Sequence, residues 1–226
     1  MSKLIYNLVE YLKGFVVNER KELFENRILQ RTKHLTIVLE NIFQGRNISA
    51  SIRSADCFGI QDVHIIENDN IFNDDSEVSM GAEKWITTFR YNNKKNNTVD
   101  ALKDLKSKGY QIIVTTPHNT NCNLDDLDVT NKIALVFGSE VKGCSEEALK
   151  YADKRMRIPS YGFTESFNVS VSVSLCLQHL THKMRKTKVN WNLTLEQQNK
   201  ILLKWLRSSI KASKEIEDKF LSEYNS

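Results

Sequence analysis

The stretch Ile133-Ala-Leu-Val-Phe137-Gly138-Ser-Glu140-Val-Lys-Gly143-Cys-Ser145 decides the fold, because five apolar residues in a row run straight into a glycine-bearing polar loop. A strand with one wet face alternates apolar and polar residues. An unbroken run suits a strand buried on both faces, as in a parallel sheet covered by helices. Three further runs, Thr36–Leu39, Val63–Ile66 and Gln111–Thr115, share this Val and Ile content. Helical patterns lie between them, with Ile48, Ile52 and Ala55 forming one stripe and Val99, Leu102 and Leu105 another. Gly59 and Gly109 follow those helices, where a left-handed C-terminal turn favours glycine. The alternation predicts an α/β fold with a mostly parallel sheet flanked by helices.

The core is expected to span residues 34–186, with a helical extension over 1–33 and a basic helical extension over 187–226. Within Met1–Phe15, Leu4, Leu8, Leu12 and Phe15 keep helical spacing, while Glu10 and other polar residues interrupt the run. This is an amphipathic helix and not a signal peptide. Thr194 and Gln197 form a capping box ahead of Leu195, Leu202, Trp205 and Ser209, predicting a helix from about Leu195 to Lys214. Thr187–Leu193 reads as a linker and Asn92–Thr98 as a polar loop. Asn168–His182 carries two conflicting patterns. Val169-Ser-Val-Ser-Val-Ser174 alternates as a strand would, yet Val169, Val173, Cys176, Leu180 and Met184 make a helical stripe. Its length favours a helix, with serines where close packing is needed.

Of the 226 residues, 40% are hydrophobic and 27% charged, the mix of a globular protein. No apolar run approaches the roughly 18–20 residues of a membrane-spanning helix, and the expectation is a cytoplasmic protein without a membrane partner. Cys57, Cys122, Cys144 and Cys176 are scattered without a CxxC pair, which predicts reduced thiols and neither a disulfide framework nor a zinc site. His179 and His182 stand three apart with no carboxylate at a suitable spacing, so no metal is expected. Between His179 and Lys214, Lys183, Arg185, Lys186, Lys188, Lys200, Lys204, Arg207, Lys211 and Lys214 face a single acid, Glu196. The middle of the chain instead holds the acidic runs Asp74, Asp75, Glu77 and Asp125, Asp126, Asp128. The net +4 says little by itself; on charge alone, this basic flank fits a polyanion partner and a solvated helix face equally well.

Three loops gather polar and glycine residues where open α/β sheets bind ligands, beyond the ends of strands. They are Glu40–Asn47, running into the helix with Arg53; Phe137–Ser145; and Ile158–Asn168. None is a G-x-G-x-x-G or a G-x-x-x-x-G-K-[ST] loop, and Ser166 lacks the flanking glycines of a nucleophile elbow, which argues against the Rossmann, P-loop and α/β-hydrolase readings. Each candidate residue also has an ordinary explanation. Asn47 suits an N-cap, and Arg53 lies on a polar stripe Ser49–Arg53–Asp56 where an ion pair with Asp56 is usual. Glu140 reads as a loop carboxylate, Ser145-Glu146-Glu147 as a helix start, and Ser166 and Asn168 as caps.

As an ordered set, the motifs say more. Asn41–Asn47–Ala50–Arg53, Phe137-Gly-Ser-Glu-x-x-Gly143 and Ile158-Pro-x-x-Gly162-x-x-x-Ser166-Phe-Asn168-Val-Ser170 resemble the three motifs of the SpoU/TrmH branch of the SPOUT RNA 2′-O-ribose methyltransferases. The likeness covers about Leu35 to Arg185, and the terminal helices, with Trp205-Leu-Arg207, resemble the TrmH type. The resemblance implies a C-terminal deep trefoil knot, a homodimer, S-adenosylmethionine as cofactor and tRNA as substrate, with the D-loop guanosine at position 18 as target. It places Arg53 at the centre of the reaction. With a pKa above about 12, arginine is a poor general base, so its role is to grip the adjacent phosphate and orient the 2′-hydroxyl while a phosphate oxygen or water takes the proton. Asn47, Glu140, Ser166 and Asn168 shape the pocket around it. The cofactor lies against the backbone near Gly138, Ile158 and Phe167, beside Thr115, with Gly143 and Gly162 permitting close approach. Phe167 replaces the leucine common in the family. His182, Lys183 and Arg185 stand where arginines are usual, and Arg20, Lys21 and Arg27 compete for the expected N-terminal arginine. The alternatives are a large-subunit rRNA 2′-O-methyltransferase, for which the residues before the first strand are too few, and a non-catalytic RNA-binding protein of the same fold.

Overall fold

The computed structural model describes residues 2–73 and 75–224. Met1, Asp74, Asn225 and Ser226 lie outside the described residues, and with them one member of the acidic run around Asp75. The chain begins with two helices, α1 (Ser2–Lys13) and α2 (Asn18–Ile28). It then alternates through β1 (Leu35–Glu40), α3 (Gly45–Cys57), β2 (Asp62–Ile66), the single-turn α4 (Ser76–Ser79), β3 (Thr87–Tyr91) and α5 (Thr98–Ser107). After β4 (Tyr110–Thr115), β5 (Cys122–Asn123), β6 (Lys132–Phe137), α6 (Glu146–Tyr151), β7 (Lys154–Arg157) and α7 (Val169–Lys186), it closes with α8 (Leu195–Ser209) and α9 (Ser213–Tyr224). Two compact units result, one of Thr32–Trp191 and one of Met1–Arg31 with Asn192–Ser226.

In the first unit seven strands form one parallel sheet in the order β3-β2-β1-β6-β4-β7-β5. The unbroken apolar runs are its central strands. β1 and β2 are buried at every position, and β6 at every position but Lys132. One face of the sheet packs beneath α3 and α7, around Ile37, Ile65, Leu135, Ile52 and Val173. The other packs beneath α5 and α6, around Val38, Val136, Leu102 and Ala148. Each fully buried aliphatic side chain contributes on the order of 1.5–3 kcal/mol. Gly59 and Gly109 end α3 and α5 with φ of 78° and 80°, the left-handed turns expected of them.

The segment with two patterns is the helix α7, which buries Val169, Val173, Cys176, Leu177, Leu180, Thr181 and Met184. It packs on α3 closely enough for Ser54 Oγ and Ser174 Oγ to meet at 2.8 Å. Thr187–Leu193, expected as a linker, lies between α7 and α8 and contains the boundary between the two units, with Thr187, Lys188, Asn190 and Asn192 exposed. Val189 and Trp191 lie against the core, the Trp191 carbonyl accepts from Thr32 Oγ1 at 2.7 Å, and the Arg185 guanidinium lies 4.4 Å from the Trp191 ring centre.

In the second unit, α1 packs against α8. Leu8, Val9 and Leu12 of α1 and Ile201, Leu202, Trp205 and Leu206 of α8 are buried. Phe15, 48% exposed, falls beyond that stripe. The capping box at Thr194 forms as its spacing predicts. Leu195 is 67% exposed and lies off the packed face. The helix ends earlier than expected, because Ile210 turns extended (φ −101°, ψ 118°) and α9 restarts at Ser213. Across that break Arg207 forks onto Glu217 with two hydrogen bonds of 2.7 Å. No helix among the described residues is long and apolar enough to cross a membrane.

Candidate active site

β1 and β6 lie side by side, Leu39 opposite Phe137, so the first two polar loops leave the sheet from adjacent strand ends. Asn41 starts the first loop in the left-handed region at φ 53°, a conformation asparagine tolerates when its short amide bonds locally. Its Oδ1 accepts from the backbone N–H groups of Asp69 and Asn70, both at 2.9 Å. The second loop folds back on itself through paired bonds between Ser139 and Gly143, of 3.1 and 2.9 Å. A Cβ on Gly138 would sit 2.1 Å from the Cys144 nitrogen, so only glycine fits there. Gly143 turns the loop at φ 67°. Gly162 differs: a Cβ there would meet nothing nearer than the Thr164 nitrogen at 4.0 Å, and nothing within the chain requires glycine.

The hydrogen-bond inventory of Asn168 fixes the orientation of the centre. As N-cap of α7, its Oδ1 accepts from the Ser170 and Val171 N–H groups and the Ser170 hydroxyl. Its Nδ2 therefore points the other way and donates to Asn47 Oδ1 at 3.1 Å. That leaves Asn47 Nδ2 to donate to Glu140 Oε1 at 2.7 Å. Glu140 also accepts from the backbone N–H groups of Phe43 at 2.9 Å and Gln44 at 3.3 Å. Partial burial pushes its carboxyl up, but the Asn47 amide and these backbone donors outweigh that and hold it below the usual carboxylate value. One chain of bonds, Glu140–Asn47–Asn168, thus ties the three loops together. Asn47 is the third residue of α3 and not its cap, which is Gln44.

Arg53 and Ser166 stand outside this chain. Both are exposed, and neither has a hydrogen bond or ion pair among the described residues, so the expected pair of Arg53 with Asp56 does not form. Arg53 neighbours Ser54, which touches α7. Ser49, expected on the same polar stripe, is fully buried and accepts the Asp75 N–H at 3.0 Å. Among the expected cofactor residues, Thr115 donates its hydroxyl to the Val136 carbonyl at 2.9 Å. Ile158 packs partly on the core, and Phe167 is 42% exposed. Cys144 lies beside the same strand ends, and burial pushes its thiol well above the ordinary value.

Two carboxylates were not singled out in the sequence. Glu40, 2% exposed, accepts from Thr98 Oγ1 and Ser145 Oγ at 2.6 Å and from the Ser145 N–H at 2.9 Å, anchoring the far end of the second loop. Glu67, just beyond β2, holds the segment that follows it instead, accepting from the Phe72 N–H and pairing with Arg90. The available signal was an acid closing an otherwise apolar strand, as in Ile37-Val-Leu-Glu40 and Ile65-Ile-Glu67. Of the basic residues after the third motif, Lys183 turns inward and donates to the carbonyls of Asp125 and Leu127 at 2.9 and 2.7 Å. His179 has the carboxylate neighbour its spacing did not reveal, with Nδ1 3.5 Å from Asp125. No group of three or more His, Cys, Asp or Glu side chains suited to a metal ion occurs among the described residues.

Residues 34–178 match the SpoU rRNA methylase family. The chain is 38% identical over 218 residues to the tRNA (guanosine(18)-2′-O)-methyltransferase of Borreliella burgdorferi, spanning 96% of this chain and 98% of that one. It superposes on the Aquifex aeolicus TrmH/SpoU tRNA modifying enzyme with a TM-score of 0.76 and 27% identity, over 85% of this chain and 97% of the other. The SpoU methyltransferase AviRb from Streptomyces viridochromogenes, solved in complex with AdoMet, shares the fold at a TM-score of 0.57 and 20% identity, over 72% and 62% of the two chains. The matched region holds all three loops that the Glu140–Asn47–Asn168 bonds join, and on that footing the chain belongs to the SpoU methylase family.

Proposed function

We propose that this chain transfers a methyl group from S-adenosylmethionine to the ribose 2′-hydroxyl of a guanosine in tRNA, position 18 of the D-loop being the target. The observation that carries the reading is the hydrogen-bonded path from Glu140 through Asn47 to Asn168, at 2.7 and 3.1 Å, which draws three loops into one site. The family's name refers to rRNA, but the Borreliella relative, named for tRNA, aligns along 96% of the chain and so well beyond the family match.

The residues present fit such a cofactor. Loop 138–145 offers backbone groups beside two required glycines, and Ile158 and Phe167 offer apolar surface for a purine face. Thr115, Gly138, Gly143, Ile158, Gly162 and Phe167 would hold it, and when bound it supplies an electrophilic sulfonium methyl. The chain's own task is to place the nucleophile. Arg53, exposed and free of internal partners, grips the phosphate next to the target ribose and fixes the 2′-hydroxyl in line. A guanidinium does not accept the proton, which passes to a phosphate oxygen or water. Asn47, Glu140 and Asn168 hold the loops in place, and Ser166 lines the site from the third.

Two architectural features belong to the same proposal. β7 lies beyond β4, while α7 packs on α3 and its cap Asn168 bonds to Asn47, so the segment after β7 returns toward the first loop. That return, together with the family likeness, is what supports a deep trefoil knot. The exposed apolar residues Val171 and Leu175 on α7, 45% and 40% exposed, with the fully exposed Tyr161 and Phe163, support a homodimer that covers this face.

The test is methyl transfer from S-adenosylmethionine to unmodified tRNA and to rRNA fragments, with the product nucleotide mapped. Ribose methylation of tRNA is expected, reduced at least about 100-fold in Arg53→Ala while calorimetry still shows cofactor binding. Transfer confined to rRNA, or an undiminished Arg53→Ala, would count against the reading. A folded chain that binds no cofactor would make it a non-catalytic RNA-binding protein.

A further inference from the structure

The loop between β1 and α3 holds a phenyl ring out into solvent on a backbone pinned from both sides. Phe43 is 68% exposed, although Ile42 before it is buried at 3%. On one side the Asn41 amide takes the N–H groups of Asp69 and Asn70, and on the other the Phe43 N–H donates to Glu140 Oε2 at 2.9 Å. The same carboxylate holds the Asn47 amide, so the ring stands four residues from the centre of the site on a turn that the site itself orders. Val141, 86% exposed, is the next residue after Glu140 on the adjoining loop. A turn fixed by this many bonds forgoes the gain of burying its ring, and a rigid outward aromatic beside a site is a contact surface in search of a flat apolar partner.

The reaction proposed above supplies such a partner. A 2′-hydroxyl within a folded RNA is flanked by stacked bases, and bringing its ribose down between three loops pulls the attached base from that stack. The base then needs a new π-face, which proteins provide with aromatic side chains. We infer that Phe43 stacks on the nucleobase whose ribose is methylated, substituting for the neighbour that base leaves behind. The inference rests on the RNA-methylating function and adds to it the residue that receives the base.

Phe43→Ala, Phe43→Leu and Phe43→Trp are compared with the wild type in tRNA titrations at one salt concentration, S-adenosylmethionine calorimetry, sedimentation and methyl transfer. The alanine variant is expected to bind tRNA roughly 5- to 150-fold more weakly, with cofactor affinity and oligomeric state unchanged. Tryptophan restores binding and its added fluorescence is quenched by RNA, whereas leucine, apolar but without a π-face, does not restore it. Wild-type RNA affinity in the alanine variant, or leucine performing as well as tryptophan, overturns the inference. So does a shift from dimer to monomer on sedimentation, which would make the ring a subunit contact, or loss of cofactor binding in all three variants, which would make it a support for the turn. A wild type that methylates tRNA alongside an unaffected alanine variant defeats the stacking alone. A wild type that methylates no RNA defeats the function and the stacking together.

Discussion

Glu140 is the residue on which the meeting of the loops depends, because its carboxylate accepts from Asn47 and from two backbone N–H groups of the first loop at once. Those donors hold its carboxyl below the ordinary value of 4.5 against the opposing effect of burial. A carboxylate with a depressed folded-state value adds stability that is fully present above the unfolded value and fades as pH falls through the folded one. Cofactor affinity should therefore be flat at neutral pH and decline only below the usual carboxylate range. Glu140→Gln presents an amide N–H to backbone donors, and losing a hydrogen bond to a charged group costs about 1.5–3 kcal/mol. Calorimetry is expected to show about tenfold or greater weakening in that variant, with the acid-side decline abolished. Affinity equal to wild type would remove Glu140 from its role. The sequence marked Glu140, Asn47 and Asn168 through a family likeness. It could not show that their amides and carboxylate bond to one another, since residues 47, 140 and 168 come together only when the sheet order places β1 beside β6.

At the scale of elements, what could be read from sequence follows burial. β1, β2, β4 and β6 are hidden by helices and spell themselves in Val, Ile and Leu. β3, Thr-Thr-Phe-Arg-Tyr, sits at the sheet edge, and β7, Lys-Arg-Met-Arg, buries Met156 alone, so neither carries an apolar run. The end of α8 was misplaced for a related reason: Ile210, Lys211 and Ala212 are acceptable helix residues, and the break is enforced by α9 turning back so that Glu217 reaches Arg207. In Gly138→Ala the new methyl would lie 2.1 Å from backbone atoms of Gly143 and Cys144, which cannot move aside as a flexible side chain would. Since overpacking a tight site costs about 1–3 kcal/mol or more, urea denaturation should show at least that loss, with cofactor binding abolished. Gly162→Ala, with 4.0 Å of clearance, should keep the stability of the wild type. Equal stability of both variants would contradict the geometry of loop 138–145.

For the whole molecule, the basic residues divide into those that are occupied and those that are free. Lys183 donates to two carbonyls, Lys200 pairs with Glu196 and Arg207 with Glu217. Lys186, Lys188, Lys211 and Lys214 are exposed and without partners among the described residues. Each lysine that displaces a counterion from RNA adds about 0.7–0.9 to the slope of log affinity against log salt. Replacing the four free lysines with alanine should weaken tRNA binding and flatten that slope by roughly 3, measured by filter binding from low to moderate salt. Lys183→Ala should lower thermal stability and leave the slope nearly unchanged. The reverse pattern would show that charge, as counted along the sequence, had been the better guide than the hydrogen bonds.

The helices α1 and α8 share one buried face although they come from opposite ends of the polypeptide. During synthesis, then, the apolar side of α1, with Leu8, Val9 and Leu12, emerges from the ribosome long before Ile201, Leu202 and Trp205 exist to cover it. The sheet can assemble from residues already made, whereas the unit built from the two termini must wait for the last helices. A stalled or prematurely ended nascent chain is left with a sticky amino-terminal helix and no mate for it, which makes that helix the natural site for chaperone capture.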